Sequence, residues 1–218
     1  MDMYKTVVFD LDGTLLNTLE DLTDAVLYIQ KKFDFPLHNI ELVRQHVGNG
    51  IRKLIIRSIP DGEDNPRFEE VYQEFLDYYQ KNCQVKTRAY DGIMELLKEL
   101  HESNIKMAIV SNKAHGAVDE LNEIYFKDYI KVAIGENEAA GIKKKPAPDS
   151  VFHALKLLGS KKEEAVYVGD SEVDRATAEN AGMDCVLCSW GFRERELLEG
   201  LKPIAIIDEP KDLLKIIK

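Results

Sequence analysis

The sequence predicts an α/β fold: a doubly wound parallel sheet with an all-helical insert after its first strand. Two observations carry that expectation. Short apolar runs alternate with amphipathic helical patterns over most of the chain, and one long stretch, from about Leu16 to Gln84, shows helical periodicity alone. Alternation of the first kind builds βαβ units, whose parallel strands are covered by helices on both faces and therefore read as unbroken apolar runs.

Thr6–Phe9 (TVVF) is the first such run. In the helical stretch that follows, Leu22, Ala25, Val26, Ile29 and Phe33 recur at helical spacing, as do Phe68, Val71, Tyr72, Phe75 and Tyr79. Pro36, Pro60 and the turn-rich segment Asp61–Pro66 divide the stretch into about four helices. The aromatic stripe Phe68, Phe75 and Tyr79 is expected to bind helix to helix rather than ligand to protein. Further buried strands are expected at Lys106–Val110, Ile130–Ile134, Ala165–Val168, Cys185–Leu187 and Ile204–Ile207. Helices between them are marked by Ile93, Leu96, Leu97 and Leu100, and by Val151, Ala154, Leu155 and Leu158. The expected domains are residues 1–15 plus 85–218 as the α/β core and 16–84 as the helical insert. Leu16, Asn17 and the return from Gln84 to Tyr90 are the hinge candidates.

With 218 residues, 44% of them hydrophobic, the chain can bury a full core without disulfides. Its net charge of −10 argues against nucleic acid as a partner, since phosphate backbones are held by clustered Lys and Arg. An anionic substrate would need a local excess of positive charge inside this acidic molecule. Cys185 and Cys188 form a C-x-x-C, but within an expected strand residues three apart point to opposite faces. Buried thiols are the expectation there, not a redox pair or a metal site. The N-terminal MDMYKTVVFD lacks the pattern of a signal peptide. No apolar stretch approaches the ~18 residues needed to span a bilayer. A cytoplasmic protein without membrane or nucleic-acid partners, a monomer or weak dimer, is expected.

The chemistry starts at VVFDLDGT, where Asp10 and Asp12 follow the first strand directly. Carboxyl ends of parallel strands are where α/β folds bind ligands. Residues two apart in extended chain point the same way, so both carboxylates can face one small volume, and a divalent cation would offset their repulsion. Gly13 then permits a tight turn close to a ligand. A helix cap would need one carboxylate rather than two. A calcium loop counted from Asp10 puts Leu15 where glycine is required. A dinucleotide site lacks its G-x-G-x-x-G, and GNGIRK at Gly48 has neither the third glycine nor a preceding strand.

Phosphoryl transfer needs an in-line nucleophile, a proton donor and positive charge over the equatorial oxygens. Ser111 and Asn112, just past the second core strand, offer a hydroxyl and an amide. Lys145 precedes Pro146, which stiffens its turn, while Lys143 and Lys144 read as solvated charge. Asp170 ends another strand, with Asp174 one turn into the next helix; Ser171 and Asp174 also fit a capping box. Singly each is weak. Their order and strand-end placement together are not.

These residues resemble the haloacid dehalogenase superfamily, and within it its phosphoglycolate phosphatase-like members, over essentially the whole chain. DLDGT looks like the first family motif, Ser111-Asn112-Lys113 the second, Lys145-Pro146 the third and GDSEVD the fourth. The resemblance implies a Rossmann-like doubly wound core with the insert as an all-α cap. It implies Asp10 as nucleophile, forming an aspartyl phosphate, and Asp12 as general acid and base. It also implies Mg²⁺ held by Asp10, the main-chain carbonyl of Asp12 and Asp170, with Asp174 in support. Ser111 and the backbone amides after Asp10, at Leu11 and Gly13, would hold the phosphoryl oxygens, and Lys145 would neutralise Asp10 and the transferring group. Asn112, by the chemistry of its own amide, is a further candidate contact. Asp12 disfavours dehalogenation, which has no alkoxide to protonate.

In the cap, Gly50 and Arg52 are candidate substrate contacts; the alternative is a plain helix junction with solvated charge. The segment SWGFRERE after Leu187 is expected at the site rim or in simple packing. The expected activity is hydrolysis of a small phosphomonoester resembling phosphoglycolate. A sugar phosphomutase of the β-phosphoglucomutase kind or a pyrophosphatase on the same scaffold is the rival. A phospho-receiver signalling module is more distant, because its acceptor sits on a middle strand without a helical insert.

Overall fold

A computed structural model describes residues 4–217. In chain order its elements are β1 (Thr6–Phe9), β2 (Leu16–Asn17), α1 (Leu19–Lys32), α2 (Ile40–His46), α3 (Ile51–Ser58), α4 (Phe68–Asn82) and β3 (Arg88–Ala89). Then come α5 (Ile93–Glu102), β4 (Lys106–Ala114), α6 (His115–Tyr125), β5 (Val132–Glu136), α7 (Asp149–Leu158), β6 (Ala165–Gly169) and α8 (Glu172–Ala181). The chain ends with β7 (Asp184–Cys188), α9 (Arg195–Gly200), β8 (Ala205–Ile207) and α10 (Leu213–Ile217). It divides into two compact units, Leu16–Arg88 and the remainder. No helix among the described residues is long and apolar enough to cross a membrane.

The larger unit holds a six-stranded sheet of order β5-β4-β1-β6-β7-β8, parallel throughout. All four residues of β1 are buried, which is why that run carries no alternation. Val8, Val110, Tyr167 and Leu187 pack on one face of the sheet with Val151, Ala154 and Leu155 of α7 and Ala178 and Ala181 of α8. Phe9 lies level with Ile109 of β4 and Val168 of β6. β1 and β6 therefore end side by side while β4 runs on past them, and the Asp10 N–H still donates to the Val168 carbonyl at 2.8 Å.

Each of the six apolar runs forms a strand, with one difference that matters. β4 runs on to Ala114 and shifts register against β5 between Val110 and Ala114. Ser111, Asn112 and Lys113 thus lie within the strand, not just past it. They are polar because that end of the sheet carries the site, not because the strand has stopped.

The smaller unit is all-helical apart from its share of the two-stranded ribbon β2-β3. Leu22, Ala25, Val26 and Ile29 of α1 and Phe68, Val71, Phe75 and Tyr79 of α4 are buried, so the aromatic stripe is core. Tyr28 stacks on Tyr78 with ring centroids 4.1 Å apart. The unit closes at Arg88 rather than Gln84. The reason is Asp21 of α1, 2% exposed, whose carboxylate accepts from the amides of Lys86 and Thr87 and from the Thr87 hydroxyl. A buried carboxylate with that many donors ties the return segment to the helices.

Candidate active site

Asp10 leaves the central strand β1 and is 6% exposed. Lys145, 5% exposed, places its Nζ 2.6 Å from Asp10 Oδ1, 2.8 Å from Asp174 Oδ1 and 3.1 Å from the Tyr167 hydroxyl. A buried ammonium is tolerable only among anions and acceptors. Burial alone would lower its pKa, but the Asp10 and Asp174 carboxylates outweigh that and hold it well above the ordinary lysine value.

The Lys145 main chain is fixed by Asn112. The Asn112 Nδ2 donates to the Lys145 carbonyl at 3.1 Å, and Oδ1 accepts from the Lys145 N–H at 2.7 Å. The Asn112 amide thus holds the lysine through both its oxygen and its nitrogen, a positioning role in addition to the phosphoryl contact expected of it. Ser111, 4% exposed, accepts from the Lys113 N–H with its Oγ.

Asp174 is the most heavily bonded carboxylate in the site. Its Oδ2 accepts from the amides of Asp170 and Ser171 and from the Ser171 hydroxyl, and its Oδ1 from Lys145 and Tyr167. Ser171 and Asp174 form a full capping box at the start of α8. The capping role and the site role therefore coexist in one residue. Burial would raise the Asp174 pKa, but the Lys145 charge and the hydrogen bonds from Lys145, Ser171 and Tyr167 bring it below the ordinary value.

Asp10 and Asp170 behave oppositely. Burial, reinforced by the Asp174 charge, pushes Asp10 up to about 7 against the pull of Lys145. Burial and the charges of Asp174 and Asp10 raise Asp170 well above the usual carboxylate range. Asp10, Asp170 and Asp174 each bring an oxygen within 4.8 Å of the others. Asp10 Oδ2 and Asp170 Oδ1 accept no hydrogen bond among the described residues. Excess negative charge and open oxygens on hard ligands suit a small divalent cation such as Mg²⁺. By the same count, Asp174 is already committed to protein donors.

Asp12 is turned to Lys113, with Nζ 3.0 Å from Oδ1; the Lys113 side chain is 6% exposed. Gly13 has φ +92°, and a Cβ there would lie 2.4 Å from Asp170 Oδ2, so the close approach requires glycine. Leu11 buries its side chain completely, leaving only its backbone to face a ligand, while its carbonyl accepts from the Thr14 and Leu15 amides. In the helical unit, Gly50 precedes α3 at φ 82°. Arg52 pairs with Glu63 and Glu69 and lies over the Phe68 ring, so its guanidinium is occupied within that unit.

The chain from residue 7 to 188 matches the family model of the haloacid dehalogenase-like hydrolases. The chain belongs to that family. Phosphoglycolate phosphatase 1 of Pseudomonas aeruginosa is 32% identical over 215 residues, covering 96% of this chain and 78% of the relative. The phosphoglycolate phosphatase of Aquifex aeolicus is 29% identical over 213 residues, covering 97% and 96%. Among solved structures, a Lactobacillus delbrueckii subsp. bulgaricus protein named provisionally as a phosphoglycolate phosphatase superposes with a TM-score of 0.93. It shares 33% identity, with 99% of this chain and 98% of that one covered. This haloacid dehalogenase-like chain is thus phosphoglycolate phosphatase-like, a phosphoric monoester hydrolase by family, on the expected Rossmann-like core.

Sequence reasoning missed three participants. Tyr167 was hidden in an apolar strand run, with no local sign that its hydroxyl meets Lys145 and Asp174. Lys113 was visible only as the third letter of a motif. The loop after β7 read as rim or packing; in the fold its Trp190 Nε1 donates to the Thr14 carbonyl at 3.0 Å, and the Phe192 N–H donates to Asp170 Oδ2 at 2.6 Å.

Proposed function

We propose that this enzyme hydrolyses small phosphomonoesters of the phosphoglycolate type with Mg²⁺, through an aspartyl phosphate on Asp10. The observation that carries the reading is the pairing of a buried, partly unsatisfied Asp10 carboxylate with the Lys145 ammonium beside Asp170. Asp10 attacks phosphorus, the Asp–O–P bond forms, and the bond to the leaving oxygen breaks. Asp12 gives its proton to the departing alkoxide. It then takes one from the water whose oxygen attacks phosphorus and releases Asp10 and phosphate. Ser111 and the backbone amides after Asp10 receive phosphoryl oxygens, and Lys145 offsets their charge. Asp10, the Asp12 carbonyl and Asp170 would hold Mg²⁺, which supplies further positive charge to the transferring group. Asp174, Tyr167 and Asn112 keep Lys145 in place. The proposed setting is the cytoplasm, with a small phosphorylated metabolite as partner, no nucleic acid or membrane, and a monomeric or weakly dimeric chain.

The test is phosphate release from a panel of small phosphoesters with Mg²⁺, repeated in EDTA and after Mg²⁺ is restored. Activity should vanish with the chelator and return with the metal. Full turnover in EDTA, or none on any ester, would remove the reading.

Lys113 gives a sharper check on Asp12. With Lys113→Met the carboxyl loses the group that orients it, so esters needing a protonated leaving group should slow by roughly tenfold or more. An aryl ester such as p-nitrophenyl phosphate, whose leaving group needs little help, should slow much less. Equal losses on both would show that Lys113 does not serve proton transfer.

A further inference from the structure

We propose that the loop Trp190–Arg193 is the positioning element of the cation site, dictating which oxygen of Asp170 is presented, with Gly191 as its determinant. The proposal rests on the Mg²⁺ reading above and concerns residues that no motif of that reading includes.

A carboxylate has two equivalent oxygens and turns readily about its last torsion. At Asp170 that freedom is removed. Oδ2 accepts the Phe192 N–H at 2.6 Å, while Oδ1 accepts nothing among the described residues. Glycines wall the carboxylate on two sides. A Cβ on Gly191 would lie 2.3 Å from Asp170 Cβ, 2.4 Å from its Oδ2 and 2.6 Å from the Gly13 carbonyl oxygen. A Cβ on Gly13 would lie 2.4 Å from the same Oδ2 and 2.8 Å from Phe192 Cδ2. Gly191 does not have a left-handed backbone, so glycine is required there for space alone.

The loop is anchored at both ends. The Trp190 indole holds the Thr14 carbonyl in the nucleophile loop. The Arg193 guanidinium makes a two-point ion pair with Glu172, two residues beyond Asp170, at 2.7 and 3.0 Å, and is 8% exposed. Four consecutive residues thus fasten the Asp10 loop and the Asp170 loop to one another. Groups that fix a metal ligand's orientation are worth about 10- to 100-fold in metal affinity.

The test uses the full-length protein and Mn²⁺ as probe, with free Mn²⁺ followed by its paramagnetic resonance signal. Melting of the metal-free protein is followed in parallel. Gly191→Ala is expected to raise the Mn²⁺ Kd by about 10- to 100-fold, while the metal-free protein keeps a cooperative melt. Arg193→Gln, which slackens one anchor and leaves the crowded glycine untouched, is expected to raise it about threefold or more. A Gly191→Ala protein that folds and binds Mn²⁺ within twofold of wild type overturns the proposal. If Gly191→Ala does not fold, an unchanged Kd for Arg193→Gln overturns it instead. Failure of the wild-type protein to bind Mn²⁺ overturns the cation reading and this proposal together, whereas wild-type binding with unaltered variants overturns this proposal alone.

Discussion

Asp10→Asn is expected to lower phosphate release by at least about four orders of magnitude, because it removes the nucleophile and changes little else. Asparagine has the same shape, and its Oδ1 can still accept from Lys145, so the fold should survive. A stability difference should accompany the loss. Burial, aided by Asp174, pushes Asp10 up to about 7 in the metal-free protein. A carboxyl raised in this way favours the fold below its unfolded pKa and loses that contribution as pH rises through the folded value. Asparagine cannot ionise, so in EDTA the variant should melt at or above the wild-type temperature at pH 8, and the difference should shrink toward pH 4. Calorimetry and phosphate release on the same samples check both halves. Normal turnover by Asp10→Asn would end the aspartyl-phosphate mechanism.

Lys145→Met should cost both activity and stability. The activity loss, from removing a fixed cation at the transferring group, is expected to be about 10²- to 10³-fold. The stability loss is expected to be about 3–5 kcal/mol at neutral pH, the range for stranding one side of a buried ion pair. Two carboxylates, Asp10 and Asp174, lose their shared partner at 2.6 and 2.8 Å. The sign with pH is opposite to that of Asp10→Asn. In the wild type, Lys145 helps hold Asp174 below its ordinary value, a contribution present above the unfolded pKa and lost on acidification. Without Lys145, Asp174 protonates in the folded state at higher pH, so the deficit should narrow as pH falls from 7 toward 5. Denaturant midpoints across that range would test this; a deficit independent of pH would mean that packing, not charge, is lost.

Much of the fold was legible because central parallel strands have nothing but apolar side chains to offer. TVVF and AVYV needed no partner information to be read. The end of β4 was not legible, since Ser111–Lys113 look like a turn until the sheet places them at its working edge. Nor was the closing of the helical unit at Arg88, because the bonds from Asp21 to Lys86 and Thr87 span 65 and 66 residues. In the site, Asp10, Asp12, Lys145, Asp170 and Asp174 were visible as polar residues in places where an ordinary strand end needs none. Tyr167 and Gly191 were invisible for opposite reasons. One looks like core, and is; the other looks like any loop glycine, and its constraint comes from the Asp170 carboxylate on a different strand end.

The position of β1 at the centre of the sheet has a consequence for how the protein is made. Both edges of β1 are covered, by β4 on one side and β6 on the other, and the contacts that complete the site are 101 residues away for Lys113 and 135 for Lys145. During synthesis the first core strand therefore emerges with two open hydrogen-bonding edges and stays so until much of the chain has followed. Such distant pairings form slowly, and a nascent chain with an unpaired apolar strand is prone to join its neighbours. The helical unit, whose partners are closer in sequence, can assemble while β1 waits. Catalytic competence arrives only late in chain elongation, so nascent chains stalled before β6 should be aggregation-prone and inactive rather than partly active.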